Sequence, residues 1–554
     1  MLEASKLAIK TRVSIWLAMP FCWIVQALAA RHTLDADGVS YLNIADACLR
    51  GNWHALVNGY WSPGLPFLLT LWLKLFHPTP FYVPLAFRFF AVASLVSSLV
   101  AFEYFLKTFF KFRIHLFRDQ NHAGGVSDNT VRILGYILFL WITVFFVPAR
   151  LDQPEILVFT LYLLATALCM EIVSSGGKGW RHFLALGVVL SCSFLVKAVM
   201  FPLSFTFFAA LVLHKQVRRS LPKLAISIVV FVVLSLPFIF ALSRAKGRLT
   251  YGDAGAINYL QMAGSDPRQS VSTESPQETV TQSAASPHLG DYTKILFLGT
   301  YPPWADPSFS YSPQPFHFHL RRQLNRIHVV LKVYFDLFIV QLGCLVCGFL
   351  VLLFFSRNTA LFASHFFDEI VLWLPAVSGL CLFALVRVEG RFLTGFTVAL
   401  FAAAIAAIQF DDEGSREKSV KSVVPAVVIL LLAQVLLIVG HDGLKALSPN
   451  YPDRQVVEAL NGIGLRSGDR VAYLGDALSD HTWAYLGSLS VAAEIPEEDQ
   501  PSYWAATQEE KQQVDSRVAQ TGEKALVTRN VPLSGLSAGW KRVDATDYYI
   551  LKLP

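Results

Sequence analysis

The 554-residue chain reads as an all-α polytopic membrane protein of about eleven transmembrane helices, ending in a small α/β domain outside the membrane. Three observations predict this. Hydrophobic residues make up 54% of the chain and charged residues 16%, well below the roughly 25% charged residues of soluble domains. Apolar runs close to the roughly 17–25 residues that span a bilayer recur as far as residue 440. Basic residues gather on alternate connections between those runs.

The runs cover residues 12–30, 84–107, 131–148, 154–174, 182–197, 198–214, 222–243, 328–355, 367–387, 392–409 and 422–440, with 182–214 forming a tight helical hairpin. Lys6, Lys10 and Arg12 precede the first run. Lys107, Lys111, Arg113, Arg118 and Arg132 follow the second, and Lys178 and Arg181, then Lys215, Arg218, Arg219 and Lys223, then Arg357, then Arg416, Lys418 and Lys421 fall on later alternate connections. The positive-inside rule puts these connections and the N-terminus in the cytoplasm and the C-terminus outside, in a multi-pass protein of the inner or plasma membrane. The net charge of +6 reflects this anchoring, and nucleic acid is excluded as a partner. "ALAARH" after the first run also fits a signal-peptide cleavage site; topology downstream is the same either way.

Residues 31–83 form a first external loop. Within it, 40–48 reads as an amphipathic helix, and the Pro-interrupted stretch 62–76 is short enough to be re-entrant or interfacial. Residues 244–327 form a second external loop, whose middle, 264–288, is rich in Ser, Pro, Gln and Thr and is expected to be disordered. Its aromatic flanks, including Trp304, are expected to order over a substrate cleft. The chain thus divides at 440 into a membrane domain and a soluble tail, 441–554, in which "RVAYLGD", "LSVAAEI", "KALVTRN" and "YYILKLP" read as strands. "GDRVAYLGD" lacks G-x-G-x-x-G, so no dinucleotide site is expected there. Six of the seven cysteines lie within the runs and only Cys48 outside, which excludes a disulfide framework; Cys344 and Cys347 read as core packing.

Asp35 and Asp37 stand just outside the first run, followed by Tyr41 and, late in the loop, Tyr60 and Trp61. A carboxylate here suits removal of a proton from an attacking hydroxyl, or the capping of helix 40–48. The order acidic pair, Tyr, amphipathic stretch, Gly-Asn-Trp and aromatic-Pro turn resembles the first external loop of GT-C glycosyltransferases, integral-membrane enzymes that use polyprenyl-phosphate sugars. In members related to protein O-mannosyltransferases (the bacterial family 39 type) and lipid A aminoarabinose transferase, this loop carries Asp-Glu-x-x-Tyr. Asp37 and Tyr41 keep that spacing, Gly38 stands where the Glu would be, and Asp35 supplies a second carboxylate, so which aspartate is the base stays open. "CSFLVKAVMFP" resembles the Phe-Leu-Thr-Lys-Gly segment of these families and marks Lys197. "RVEGRFLTGF" resembles their Arg-Tyr-Leu-Leu-Pro segment and marks Arg387 and Arg391.

The resemblance implies a GT-C-like domain over 1–440 acting as a hexosyl- or pentosyltransferase. It would move a sugar from a polyprenyl-phosphate donor to an extracytoplasmic hydroxyl of a glycan, lipid or protein. Asp37 or Asp35 serves as base, Lys197, Arg391 and Arg387 hold the donor phosphate, and Tyr41, Tyr60, Trp61, Asp152, Glu155 and Trp304 contact substrate. Displacement without a covalent intermediate would invert the anomeric centre. No cofactor is expected; a divalent cation on Asp35 and Asp37, or on His317, His319 and Asp306, is the alternative. The competing classes are a transporter or flippase of lipid-linked sugars, which predicts ionisable residues at mid-bilayer depth where few charges, such as Glu103, Lys332 and Asp336, fall deep inside runs, and a catalytically inert scaffold.

Overall fold

The structure, a computed structural model, describes residues 2–116, 125–264, 289–292, 299–308, 319–355, 368–408, 410, 413–448, 451–529, 531–532 and 539–553. The disorder expected for 264–288 lies outside the described residues but for Gly264, as do Arg118, Arg357 and His317. The chain divides into two compact units. One comprises Met1–Ala29, Arg88–Gly264 and Phe316–Leu447; the other comprises Ala30–Phe87, Ser265–Pro315 and Ser448–Pro554.

The first unit is helical, and every one of the eleven apolar runs holds a helix. Among the described residues, six helices are long and apolar enough to cross a membrane: Arg12–Ala29, Pro80–His115, Asp128–Phe145, Glu155–Ser174, Leu221–Lys246 and Val420–Ala446. The run at 328–355, expected as one straight span, is a pair, Leu320–Gln341 and Gly343–Phe354, bent by 75°. The bend follows a widened turn over Asp336–Gln341, where Gln341 Nε2 donates to Asp336 Oδ2 at 2.8 Å; taken as one span, the pair makes a seventh crossing. The other four runs form Trp180–Val196, Met200–Leu213, Ile370–Ala384 and Thr394–Ala406. At about 1.5 Å per residue these reach only about 20–26 Å, short of the roughly 30 Å hydrocarbon core, so length alone does not make them spans.

Large side chains such as Trp23, Phe102, Trp141 and Phe159 fill the interior of this unit, while Val229, Val233, Phe240, Leu436 and Leu437 are exposed, as lipid-facing positions are. Helices Trp180–Val196 and Leu221–Lys246 pack through small residues. Ser191 Oγ donates to the Phe231 carbonyl at 2.8 Å and Ser227 Oγ to the Phe183 carbonyl at 2.6 Å. Such residues allow the close backbone approach on which helix pairs in lipid depend.

In the second unit, helix Ala36–Leu49 follows from Asp35, which caps it, and helix Gly64–Phe76 covers the predicted short apolar stretch. The latter buries Leu65, Leu69 and Leu73 on one stripe and exposes Phe67, Leu71, Leu75 and Phe76 on another. All four predicted tail strands form. The sheet runs β1-β3-β2-β4-β6-β5, with β1 Gly290–Asp291, β2 Arg470–Leu474, β3 Ser490–Ile495, β4 Glu523–Arg529, β5 Lys541–Arg542 and β6 Tyr548–Lys552. β2 lies parallel to both β3 and β4, and the outer pairs are antiparallel. β1, from the second external loop, was not legible in the sequence.

Candidate functional site

The acidic loop takes its geometry from a helix start. Asp35 is the N-cap residue and its Oδ1 accepts the Gly38 N–H at 2.6 Å, satisfying one of the amide groups that a helix leaves unpaired at its first turn. Asp35 is exposed, whereas Asp37, two residues further on in the first turn, is half-buried. Asp37 Oδ1 accepts the indole N–H of Trp304 at 3.3 Å. The two aspartates thus separate by position: one closes the helix, the other faces an aromatic cluster. A carboxylate in this first turn is also favoured by the helix dipole.

That cluster contains all four predicted substrate-contacting aromatics. The Tyr41 ring lies 5.0 Å from Trp61, Tyr60 lies 4.6 Å from Trp61 and 5.5 Å from Trp304, and Trp61 lies 5.8 Å from Trp304. Asn58, which sequence reasoning missed, arranges them: its Oδ1 accepts the backbone N–H groups of Tyr60 and Trp61 at 2.8 and 2.9 Å, and its Nδ2 donates to the Ala305 carbonyl at 3.2 Å. The Trp304 carbonyl accepts Ser40 Oγ at 2.9 Å and Trp61 Nε1 at 3.1 Å. A carboxylate beside indole and phenol rings can accept a hydroxyl proton while flat apolar faces bind a sugar ring.

In the first unit, helix ends gather the predicted cations. Lys197 sits in the break between Trp180–Val196 and Met200–Leu213, and its Nζ donates to Oε1 of buried Glu155. Arg391 Nε lies 3.9 Å from the same Glu155 oxygen and 2.6 Å from Glu389 Oε2, while Arg387 reaches Glu389 Oε1 at 2.5 Å. Both Lys197 and Arg391 lie over the Phe392 ring, at 4.1 and 5.1 Å, a favourable cation–π arrangement. Gly390 permits this turn, because a Cβ there would come within 2.6 Å of the Phe146 ring. Three cations face two carboxylates here, which leaves one net positive charge. Glu155 Oε2 is buried and has no hydrogen-bond partner among the described residues. Glu389 and Phe392 were missed as parts of this group, although "RVEGRF" places both beside the two arginines.

Asp152 takes a different place from Glu155. It is buried against Arg88, whose Nη2 donates to Asp152 Oδ2 at 3.0 Å and whose Nη1 donates to the Arg150 carbonyl at 2.7 Å. Arg150 in turn pairs with Asp442 at 2.9 Å, and Gln26 bridges Asp442 to the Val144 carbonyl. Arg88 was missed by sequence reasoning, although it stands as a charge inside the run 84–107. The Glu103 carboxylate pairs with Arg12 at 2.9 Å and accepts Trp16 Nε1 at 3.0 Å, which is helix anchoring. Among the described residues, no group of three or more His, Cys, Asp or Glu is arranged to hold a metal ion; all seven cysteines are free thiols.

By sequence, no family model and no curated protein matches the chain. Solved structures do match it along its length. ArnT from Cupriavidus metallidurans in the apo state covers 98% of this chain and 98% of its own, at 12% identity and a TM-score of 0.56. The same protein bound to undecaprenyl phosphate covers 98% of this chain and 97% of its own, at 12% identity and a TM-score of 0.55. The chain has the GT-C fold. The apo oligosaccharyltransferase of Archaeoglobus fulgidus covers 93% of this chain and 69% of its own, at 12% identity and a TM-score of 0.50. The apolar helices of a multi-pass membrane protein and the small C-terminal sheet that the sequence predicted are both present in this chain.

Proposed function

We propose that this chain is a membrane glycosyltransferase that moves a sugar from a polyprenyl-phosphate donor to an extracytoplasmic hydroxyl. The observation that carries the reading is the cation group of Lys197, Arg387 and Arg391, held at helix ends with one positive charge in excess. As the sugar–phosphate bond breaks, negative charge grows on the leaving phosphate, and fixed cations in a low-dielectric setting stabilise that charge most where it develops. Lys197 and Arg391 bind the phosphate oxygens, and Glu155 and Glu389 hold them in place.

The acceptor oxygen attacks the anomeric carbon, its bond to hydrogen breaks, and Asp37 takes the proton. The bond from the anomeric carbon to the phosphate oxygen breaks with its electron pair remaining on the phosphate. Direct displacement inverts the anomeric centre. Tyr60, Trp61 and Trp304 flank the sugar or acceptor, and Asp35 orients the loop through its cap. The lysine and arginines supply the charge that the leaving group requires, so no cofactor enters the proposed reaction. One of the similar structures, ArnT, is bound to undecaprenyl phosphate, which supports a polyprenyl phosphate as the donor class.

The test is direct. Purified protein is incubated with labelled polyprenyl-phosphate sugars, and Asp37→Asn is compared with wild type. Turnover should fall by roughly 10²–10⁴-fold, as for loss of a general base, with donor binding retained. Asp35→Asn should cost less. A dead Asp35 variant beside an active Asp37 variant would reverse the two roles, and wild-type turnover in both would remove the acidic loop from the chemistry.

A further inference from the structure

We propose that Glu494, on the sheet of the C-terminal tail, is a positioning residue for Asp37 and acts through Tyr301 and Trp304. The inference rests on the reading of Asp37 as the base. Strand β3 carries two described segments of the second external loop, 290–292 and 299–300. Gly290 and Asp291 pair with Glu494 and Ala493, and Tyr292 N–H donates to the Ala492 carbonyl at 2.7 Å. Val491 N–H donates to the Thr300 carbonyl at 2.8 Å, and Ser490 Oγ to the Gly299 carbonyl at 3.0 Å.

At the centre of this seam lies the buried Glu494 carboxylate. Its Oε2 accepts both the Tyr292 hydroxyl at 2.9 Å and the Tyr301 hydroxyl at 2.7 Å, and its Oε1 accepts the Ala477 N–H at 3.0 Å. Burial pushes both phenols well above their ordinary range, so they remain donors. A carboxylate receiving two phenols and an amide is held by charge-assisted bonds, the stronger class.

Tyr301 is followed by Pro302 and Pro303, whose rings fix the backbone, and then by Trp304. The short turn Pro302–Ala305 therefore transmits the position of Tyr301 to the indole that donates to Asp37. Its fit is close: a Cβ on Gly299 would lie 2.7 Å from the Ala305 Cβ, and Thr300 Oγ1 donates to Asn43 Oδ1 at 3.0 Å on the helix whose first turn holds Asp37. The α/β tail thus serves the reaction by setting the donor to the base, and its own polar groups take no part in chemistry.

The experiment uses the full chain in lipid nanodiscs, with Glu494→Gln, Tyr301→Phe, Trp304→Phe and the double variant Glu494→Gln/Trp304→Phe. Glu494→Gln is expected to lower kcat roughly tenfold, within the range for slight misplacement of reacting groups, and to leave KM for the labelled polyprenyl-phosphate sugar unchanged. The double variant should be no slower than Trp304→Phe alone, since both act through one path. Hydrogen exchange supplies a readout independent of turnover: residues 299–308 should exchange faster in Glu494→Gln, while β2 and β4 keep wild-type protection. Additive losses in the double variant, or unchanged exchange at 299–308, would overturn the proposal. Absence of turnover in wild type with every donor would instead count against the glycosyltransferase reading, and the exchange result would still decide the role of Glu494.

Discussion

Asp152 offers the sharpest separation of a structural charge from a substrate-binding one. Its side chain is 1% exposed and that of Arg88 2%, so Asp152→Ala would take from a buried guanidinium the carboxylate that balances its charge. Breaking a buried pair from one side costs about 3–5 kcal/mol. Asp152→Asn keeps an acceptor but exchanges a charged hydrogen bond for a neutral one, a loss of about 1–2 kcal/mol. At roughly 2 °C per kcal/mol for a large unit, the alanine variant should lower the apparent unfolding midpoint by about 6–10 °C and the asparagine variant by about 2–4 °C. The midpoints are compared at a single scan rate, because unfolding of a protein this size is read kinetically. The double variant Arg88→Met/Asp152→Ala removes both charges and should recover most of the loss, with turnover near wild type. An alanine variant that melts normally yet has lost turnover would refute this argument and return Asp152 to the substrate.

Lys197→Ala and Arg391→Ala should each weaken donor binding by about 1.5–3 kcal/mol, the worth of a charged hydrogen bond, read by titration with polyprenyl phosphate; unchanged affinity in both would leave packing over Phe392 as their role. Burial raises the Asp46 carboxyl to about 6 against the opposing Tyr485 hydroxyl and Arg50, and burial together with Asp480 raises Asp453 to about 7. A carboxyl raised on folding binds more protons folded than unfolded between its ordinary value near 4 and its raised value. Stability of the second unit should therefore fall as pH rises from about 4 to about 7, and exchange protection of β2 and β4, corrected for intrinsic rates, should be higher at pH 5 than at pH 7.5; a rise instead would contradict the burial of these two groups. A reporter fused after Pro554 should be active only as an extracytoplasmic fusion, and a cytoplasmic signal would invert the charge-based topology.

What the sequence revealed follows from the range of each signal. Long apolar windows and period-two strands are local patterns, so the helices and the four tail strands could be read directly. The acidic pair was legible, but its division of labour was not: Asp35 and Asp37 look alike until the helix start at Ala36 turns one into the cap and the other toward Trp304. Lys197 and Arg391 were legible as cations. Their shared carboxylate, Glu155, is 42 residues from Lys197, and no local pattern declares such a partner. Arg88 and Asp152, 64 residues apart, were separated for the same reason. The bend at Leu342 escaped because hydropathy does not distinguish a straight helix from a broken one.

The composition shift at 441 falls inside the end of the last apolar helix, Val420–Ala446, and hydrogen bonds draw a different grouping. A strand such as β3, buried along most of its length, cannot leave an open edge without risking pairing with another chain. Residues 290–292 and 299–300 cover that edge, and the same segment continues into Trp304 and the loop of Asp37. The tail is therefore no appendage that could be removed with local effect. Cutting the chain before the tail would expose Tyr292, Tyr301 and the apolar face beneath them, and would free the indole that donates to Asp37. Glu494, Asp480, Arg529 and Tyr548 all bond within the unit, and through Tyr301 Glu494 reaches the segment that holds Trp304 beside Asp37.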